Sequence, residues 1–130
     1  MADKKTRYKI PNGVKNEAKQ GRDLRTMHGY GGGKVTKSIN YKLRMQKDVG
    51  YQTAVKIDTY YRRHEDVDPK GENFDNRKQP SKGYIMWKMM GGNSGQSWSR
   101  RLKKTLDVIQ KRERLNKINR TLEAIHGMVR

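Results

Sequence analysis

The sequence predicts a mainly α protein: a small helical domain with an extended basic N-terminal arm and a long C-terminal helix. Three observations predict it. Apolar residues recur at four-residue spacing from Val35 through Ile39 to Leu43, no Gly or Pro interrupts the chain between Gly95 and Gly127, and residues 1–34 scatter few apolar side chains among Lys, Arg and Gly. A chain of 130 residues fits one domain, and 32% hydrophobic residues with a mean hydropathy of −1.20 support only a small core. That length excludes a multidomain enzyme. With no cysteine, a disulfide framework and thiolate zinc sites are also excluded.

Residues 1–34 read as a flexible basic arm. Tyr8 and Ile10 alternate with Lys9 as in a short strand, Pro11-Asn12-Gly13 signals a turn, and Gly29-Tyr30-Gly31-Gly32-Gly33 reads as a hinge. Residues 35–109 are the expected core domain. A first helix runs to about Asp48 with Ser38 as a candidate cap, and Gly50 interrupts it. A second, Tyr51 to His64, places Tyr51, Ala54, Val55, Ile57 and Tyr61 near one face, with Lys56, Arg62 and Arg63 mostly off it.

Residues 65–82 hold the acidic cluster and two prolines, and read as a loop. Ser81 is placed to cap Gly83–Met90, which is apolar at six of eight positions, and this run is taken as the core helix. After Asn93-Ser94-Gly95, one long helix is expected from about Ser97 to His126.

The apolar stripe of that last helix changes sides. Trp98, Leu102, Leu106 and Ile109 lie near one meridian, whereas Val108, Leu115, Ile118, Leu122, Ile125 and Val129 gather near the opposite one. A single core does not cover both sides of a straight helix. Residues 110–130 are therefore expected to be an extension, with Leu115, Ile118, Leu122, Ile125 and Val129 meeting a second copy or another partner. The alternative is a bent helix folding back on its own domain.

The formal net charge of +18, from 31 Lys and Arg against 13 Asp and Glu, points to a polyanionic partner. By segment the charge is +6 over 1–34, +5 over 35–64, −1 over 65–82 and +8 over 83–130. The candidate nucleic-acid-binding residues are Lys4, Lys5, Arg7 and Lys9 on the arm, and Arg62 and Arg63 beside Tyr60-Tyr61. On the long helix they are Arg100, Arg101, Lys103, Lys104, Lys111 and Arg114. Lys and Arg suit phosphate contacts, which set register without reading sequence. Tyr60 is the candidate for stacking on a base, while Tyr61 and Trp98 fall on faces expected to be buried.

Other patterns carry less. Gly29–Thr36 departs from a phosphate loop in glycine spacing and has Val35 where a metal-binding hydroxyl belongs. Asp66–Gly71 opens like a calcium loop, but Lys70 and Arg77 stand at ligand positions. A nuclease site built from Asp66, Asp68, Glu72 or Asp75 with His64 is a distant alternative. Gly91–Gly95 before a helix could cradle an anion or serve as a tight interhelical turn.

The run Gly83-Tyr84-Ile85-Met86-Trp87-Lys88-Met89-Met90-Gly91-Gly92-Asn93-Ser94-Gly95, followed by Trp98 and a basic helix, loosely resembles small basic uncharacterised proteins of tailed bacteriophages and marine viruses. That likeness implies a viral setting, in genome handling or in the particle, and transfers no catalytic residue. The expectation is a non-enzymatic protein without cofactor or metal that binds DNA or RNA backbone, or else a structural protein of a larger particle. With no apolar run of membrane-spanning length and no signal-peptide pattern, no membrane partner is expected, and the location is expected to be the host cytoplasm or the virion.

Overall fold

A computed structural model describes residues 2–129. Among the described residues five helices follow in order: α1 (Asn12–His28), α2 (Lys34–Met45), α3 (Tyr51–His64), α4 (Lys82–Met89) and α5 (Gly92–Val129). Two short strands, β1 (Tyr8–Lys9) and β2 (Asp48–Val49), pair antiparallel with Tyr8 opposite Val49, and Asp68–Lys70 forms one 3₁₀ turn. The expectation of a mainly α chain with a long C-terminal helix holds.

Residues 1–34 are different from the arm that composition suggested. Residues 12–28 form a 17-residue helix whose buried positions, Val14, Ala18, Gly21 and Leu24, recur every three or four residues. Pro11 is its N-cap and Gly29, at φ 76°, its left-handed C-cap, so the turn signal before Val14 marks a helix start. Two of the four buried positions are Ala and Gly, which contribute little to a hydropathy pattern but let backbones approach closely. A Cβ on Gly21 would collide with the backbone of Lys88 and Met89 in α4.

The helix α4 is the centre of the fold and packs on α1, α2 and α5. Ser81 caps it, its Oγ accepting from Tyr84 N at 3.0 Å, and Tyr84, Ile85, Trp87 and Met89 are buried. Asn40 of α2 ties three helices together: its buried Nδ2 donates to Ala18 O at 3.0 Å and Met89 O at 2.9 Å, while its Oδ1 accepts from Arg44. Met89 O is one of the carbonyls that a helix end leaves without an internal partner, and Asn40 supplies that partner.

α2 starts at Lys34 with Gly33 as N-cap, five residues before the Ser38 expected there, and ends at Met45. The glycine-rich segment before it does not act as a hinge. Gly31 and Gly32 lie against Ile85 and Met89, Gly31 O accepts from Arg25 Nε, and Tyr30 donates to Pro80 O.

The 65–82 loop is partly anchored. Asn73 and Asp75, both at positive φ, flank Phe74, whose ring meets Tyr84 edge-on at 5.1 Å and Trp87 at 5.9 Å.

In α5 the apolar stripe changes sides as the periodicity indicates. Trp98, Leu106 and Ile109 are buried against the rest of the chain, and every residue from Arg114 to Met128 is exposed. The helix does not fold back.

Candidate nucleic-acid interface

The N-terminal candidates are held in place by local contacts. β1 pairs with β2, Arg7 donates from Nε and Nη2 to Asp48 Oδ1 at 3.0 and 2.8 Å, Lys4 lies 3.2 Å from Glu113 of α5, and Arg112 donates to Ala2 O at 3.1 Å. Lys4 and Lys5 therefore sit beside the middle of α5 instead of trailing from the domain. The pairs made by Lys4 and Arg7 are solvent-exposed, worth roughly 0–1 kcal/mol, and can exchange for a phosphate.

Arg62 is committed differently. Its partner Asp58, at 2.8 Å, is buried and also accepts from Ser99, so releasing Arg62 would leave a buried carboxylate short of a partner. Arg100 pairs with Glu65 at 3.3 Å. Lys5, Lys9, Arg63, Arg101, Lys103, Lys104, Lys111 and Arg114 are exposed and make no ion pair among the described residues.

On α5 the row Arg100, Lys104, Lys111 and Arg114 points away from Leu106 and Ile109, as the helical spacing requires. Asp107 falls in the same row and is exposed, an acid that the choice of candidate residues on this helix left out. The strip is therefore cationic with one acid inside it, and Lys103 flanks it on one side while Arg101 lies off it.

The Gly91–Gly95 segment takes the tight interhelical turn of its two readings: the turn is Met90–Gly91, and α5 already begins at Gly92, ahead of the start expected near Ser97. Gly91 at φ 116° and Gly92 at φ 62° make the reversal between α4 and α5, and the chain supplies its own anion. Glu17 of α1 accepts from Asn93 N at 3.3 Å and Ser94 N at 2.8 Å, and from Lys88 Nζ at 3.1 Å. Burial opposes ionisation of Glu17, but the hydrogen bonds from Ser94 and Lys88 outweigh it and hold its pKa below the usual carboxylate value. The carboxylate thus caps α5 where free N–H groups and the helix dipole favour negative charge.

Tyr60 is also not the exposed aromatic that stacking requires. It is buried and its hydroxyl has no hydrogen-bond partner among the described residues, whereas Tyr61 and Trp98 are buried as expected, with Tyr61 donating to Gly92 O at 2.8 Å. The partly exposed ring of His64 stacks on Tyr60 with centroids 4.6 Å apart, and the more exposed Tyr41 ring lies on α2 with Arg44 over it. Sequence spacing did not single out His64 as an aromatic surface, because its position depends on Tyr60 being buried beneath it.

The interface residues Leu115, Ile118, Leu122 and Ile125 are each about half exposed, on the unpartnered side of α5. The side chain of Val129 lies outside the described residues. Among the described residues no three His, Asp or Glu side chains gather as a metal site, and no helix is long and apolar enough to cross a membrane. No protein-family model, curated protein or solved structure matches this chain.

Proposed function

We propose that the protein binds the phosphate backbone of nucleic acid without catalysing a reaction, as an accessory or packaging protein with little sequence preference. The observation that supports this reading is the distribution of charge on α5 and its neighbours. Arg101, Lys103, Lys104, Lys111 and Arg114 are exposed and unpaired among the described residues, while five carboxylates are engaged in internal pairs with Lys or Arg. A chain of charge +18 then presents a surface on which cations greatly outnumber acids, and a polyanion relieves the resulting self-repulsion.

Anisotropy titrations of labelled DNA and RNA across a salt series test it. Contacts to about six to ten phosphates would weaken binding by about 10³ to 10⁵ between about 50 and 200 mM salt. Replacing Lys103 and Lys104 by Ala lowers the logarithmic salt slope on duplex DNA by about 1.8, from about 0.9 per contact. Absence of binding to every nucleic acid at low salt removes the proposal.

A second reading is a structural protein of a larger, viral particle, in which the C-terminal helix docks on a neighbouring subunit. What favours it is the exposed stripe Leu115, Ile118, Leu122 and Ile125 at heptad spacing. Light scattering of the full chain and of a truncation ending at Gln110 separates these readings: a larger mass for the full chain alone supports docking between copies, and two monomer masses count against it.

A further inference from the structure

We infer that the groove between α2 and α3 holds an extended single strand of nucleic acid, with phosphates on Lys34, Lys42, Lys56 and Arg63 and a base against the ring of His64. The inference rests on the nucleic-acid reading above and specifies the form of nucleic acid and where it enters.

The groove exists because the two helices of this hairpin pack on different neighbours. α2 lies against α1 and α4, and α3 lies against α5. At the end near Gly50 the hairpin is closed, with Lys42 Nζ donating to Thr53 Oγ1 at 3.3 Å. Beyond it two cavities of about 260 and 350 Å³ share Val35, Ile39 and Lys56, and so form one trough. Ile39, Val55 and Met90 give the trough an apolar lining.

The polar lining has one sign. Lys34, Lys42, Lys56 and Arg63 border the trough, no Asp or Glu does, and none of the four makes an ion pair among the described residues. Lys34 and Lys42 stand eight residues apart on α2, about 12 Å along the helix, so a ligand spanning them carries more than one anionic group. At the other end His64 is fixed from two directions: its ring stacks on Tyr60, and its Nδ1 lies 3.2 Å from Asp68 Oδ2. Its side chain nevertheless remains 37% exposed. A ring already immobilised loses little freedom when a base stacks on it.

Cations beside an apolar floor and a fixed aromatic ring match a chain of phosphates that also carries flat apolar faces. A duplex keeps those faces stacked inside and offers the trough only its charged exterior. A single strand offers both. An acidic peptide would satisfy the cations, but it lacks the repeated planar rings that suit His64.

The test uses the full chain with a labelled oligothymidylate and a duplex of equal length. His64→Ala is expected to lower single-strand affinity about tenfold, while His64→Phe, which keeps a stacking ring, retains most of it. Lys34→Ala with Lys56→Ala is expected to reduce the single-strand salt slope by about 1.4, at about 0.7 per contact. Thr59 also lines the trough. Thr59→Glu should weaken single-strand binding and Thr59→Gln should not, a pair that remains informative if His64→Ala disturbs the fold.

Equal losses on duplex and single strand, unchanged single-strand affinity in His64→Ala and Thr59→Glu, or displacement by polyglutamate as effective as by unlabelled oligothymidylate would each overturn the inference. A wild-type chain that binds no nucleic acid defeats the proposed function itself. A wild-type chain that binds while these variants bind equally well defeats only the groove.

Discussion

Leu106 and Leu115 occupy the same helix, nine residues apart, and meet opposite fates. Leu106 is 1% exposed, packed in the core with Val14, Tyr61 and Trp98, and Leu115 is 51% exposed. Helix propensity does not distinguish the two. The difference lies in which side of α5 faces α1 and α3, since the apolar stripe leaves that side after Ile109. An apolar pattern on a helix therefore states what the helix can bury, and the presence of neighbours decides what it does bury.

The comparison breaks most sharply on Leu106→Ala, which should destabilise the chain by about 2–5 kcal/mol in urea unfolding, through lost burial and the cavity left behind. A change under about 1 kcal/mol would mean that the first half of α5 is not seated on the domain.

Next in size is Glu17→Ala, which removes the carboxylate capping α5 and strands the buried Lys88 ammonium. It should cost about 3 kcal/mol in the same measurement. Because Glu17 has a lowered folded-state pKa, its contribution is fully present above the unfolded value of about 4.5 and is lost as pH falls through the folded one. Glu17→Gln should therefore flatten the acid side of the stability profile. An unchanged acid slope would show that the carboxylate is not held by Ser94 and Lys88 in solution.

Leu115→Ala has the smallest expected effect, within about 0.5 kcal/mol for the monomer. A loss comparable to that of Leu106→Ala, and dependent on protein concentration, would show that the tail is covered by another copy.

The same contrast separates what could be read in the residues. Ser81 before the apolar run 83–90 was a legible cap, and the change of sides in α5 was legible from spacing alone, because both depend on residues close in sequence. α1 was not legible. Its buried face uses Ala18 and Gly21, whose value lies in allowing α4 to come close, and a hydropathy pattern cannot register a contact that works by absence of side chain.

The candidate site divides in the same way. Exposure of Lys103, Lys104, Lys111 and Arg114 followed from their spacing on α5. Pairing of Arg100 with Glu65, the burial of Asp58 that commits Arg62 to it, and the capping of the first turn of α5 by Glu17 depended on partners brought from other parts of the fold. The trough between α2 and α3 is a property of two helices diverging, so none of its residues is informative singly.

By itself the amino-acid order determined the helical class, the sign and excess of charge, and the two-sided stripe of the last helix, since composition and short-range periodicity are local quantities. Tertiary structure decided which cations remain unpaired, which glycines bring helices together and which aromatic rings stay at the surface. Those outcomes depend on side chains tens of residues apart meeting within a few ångströms, and only the packed chain specifies such distances.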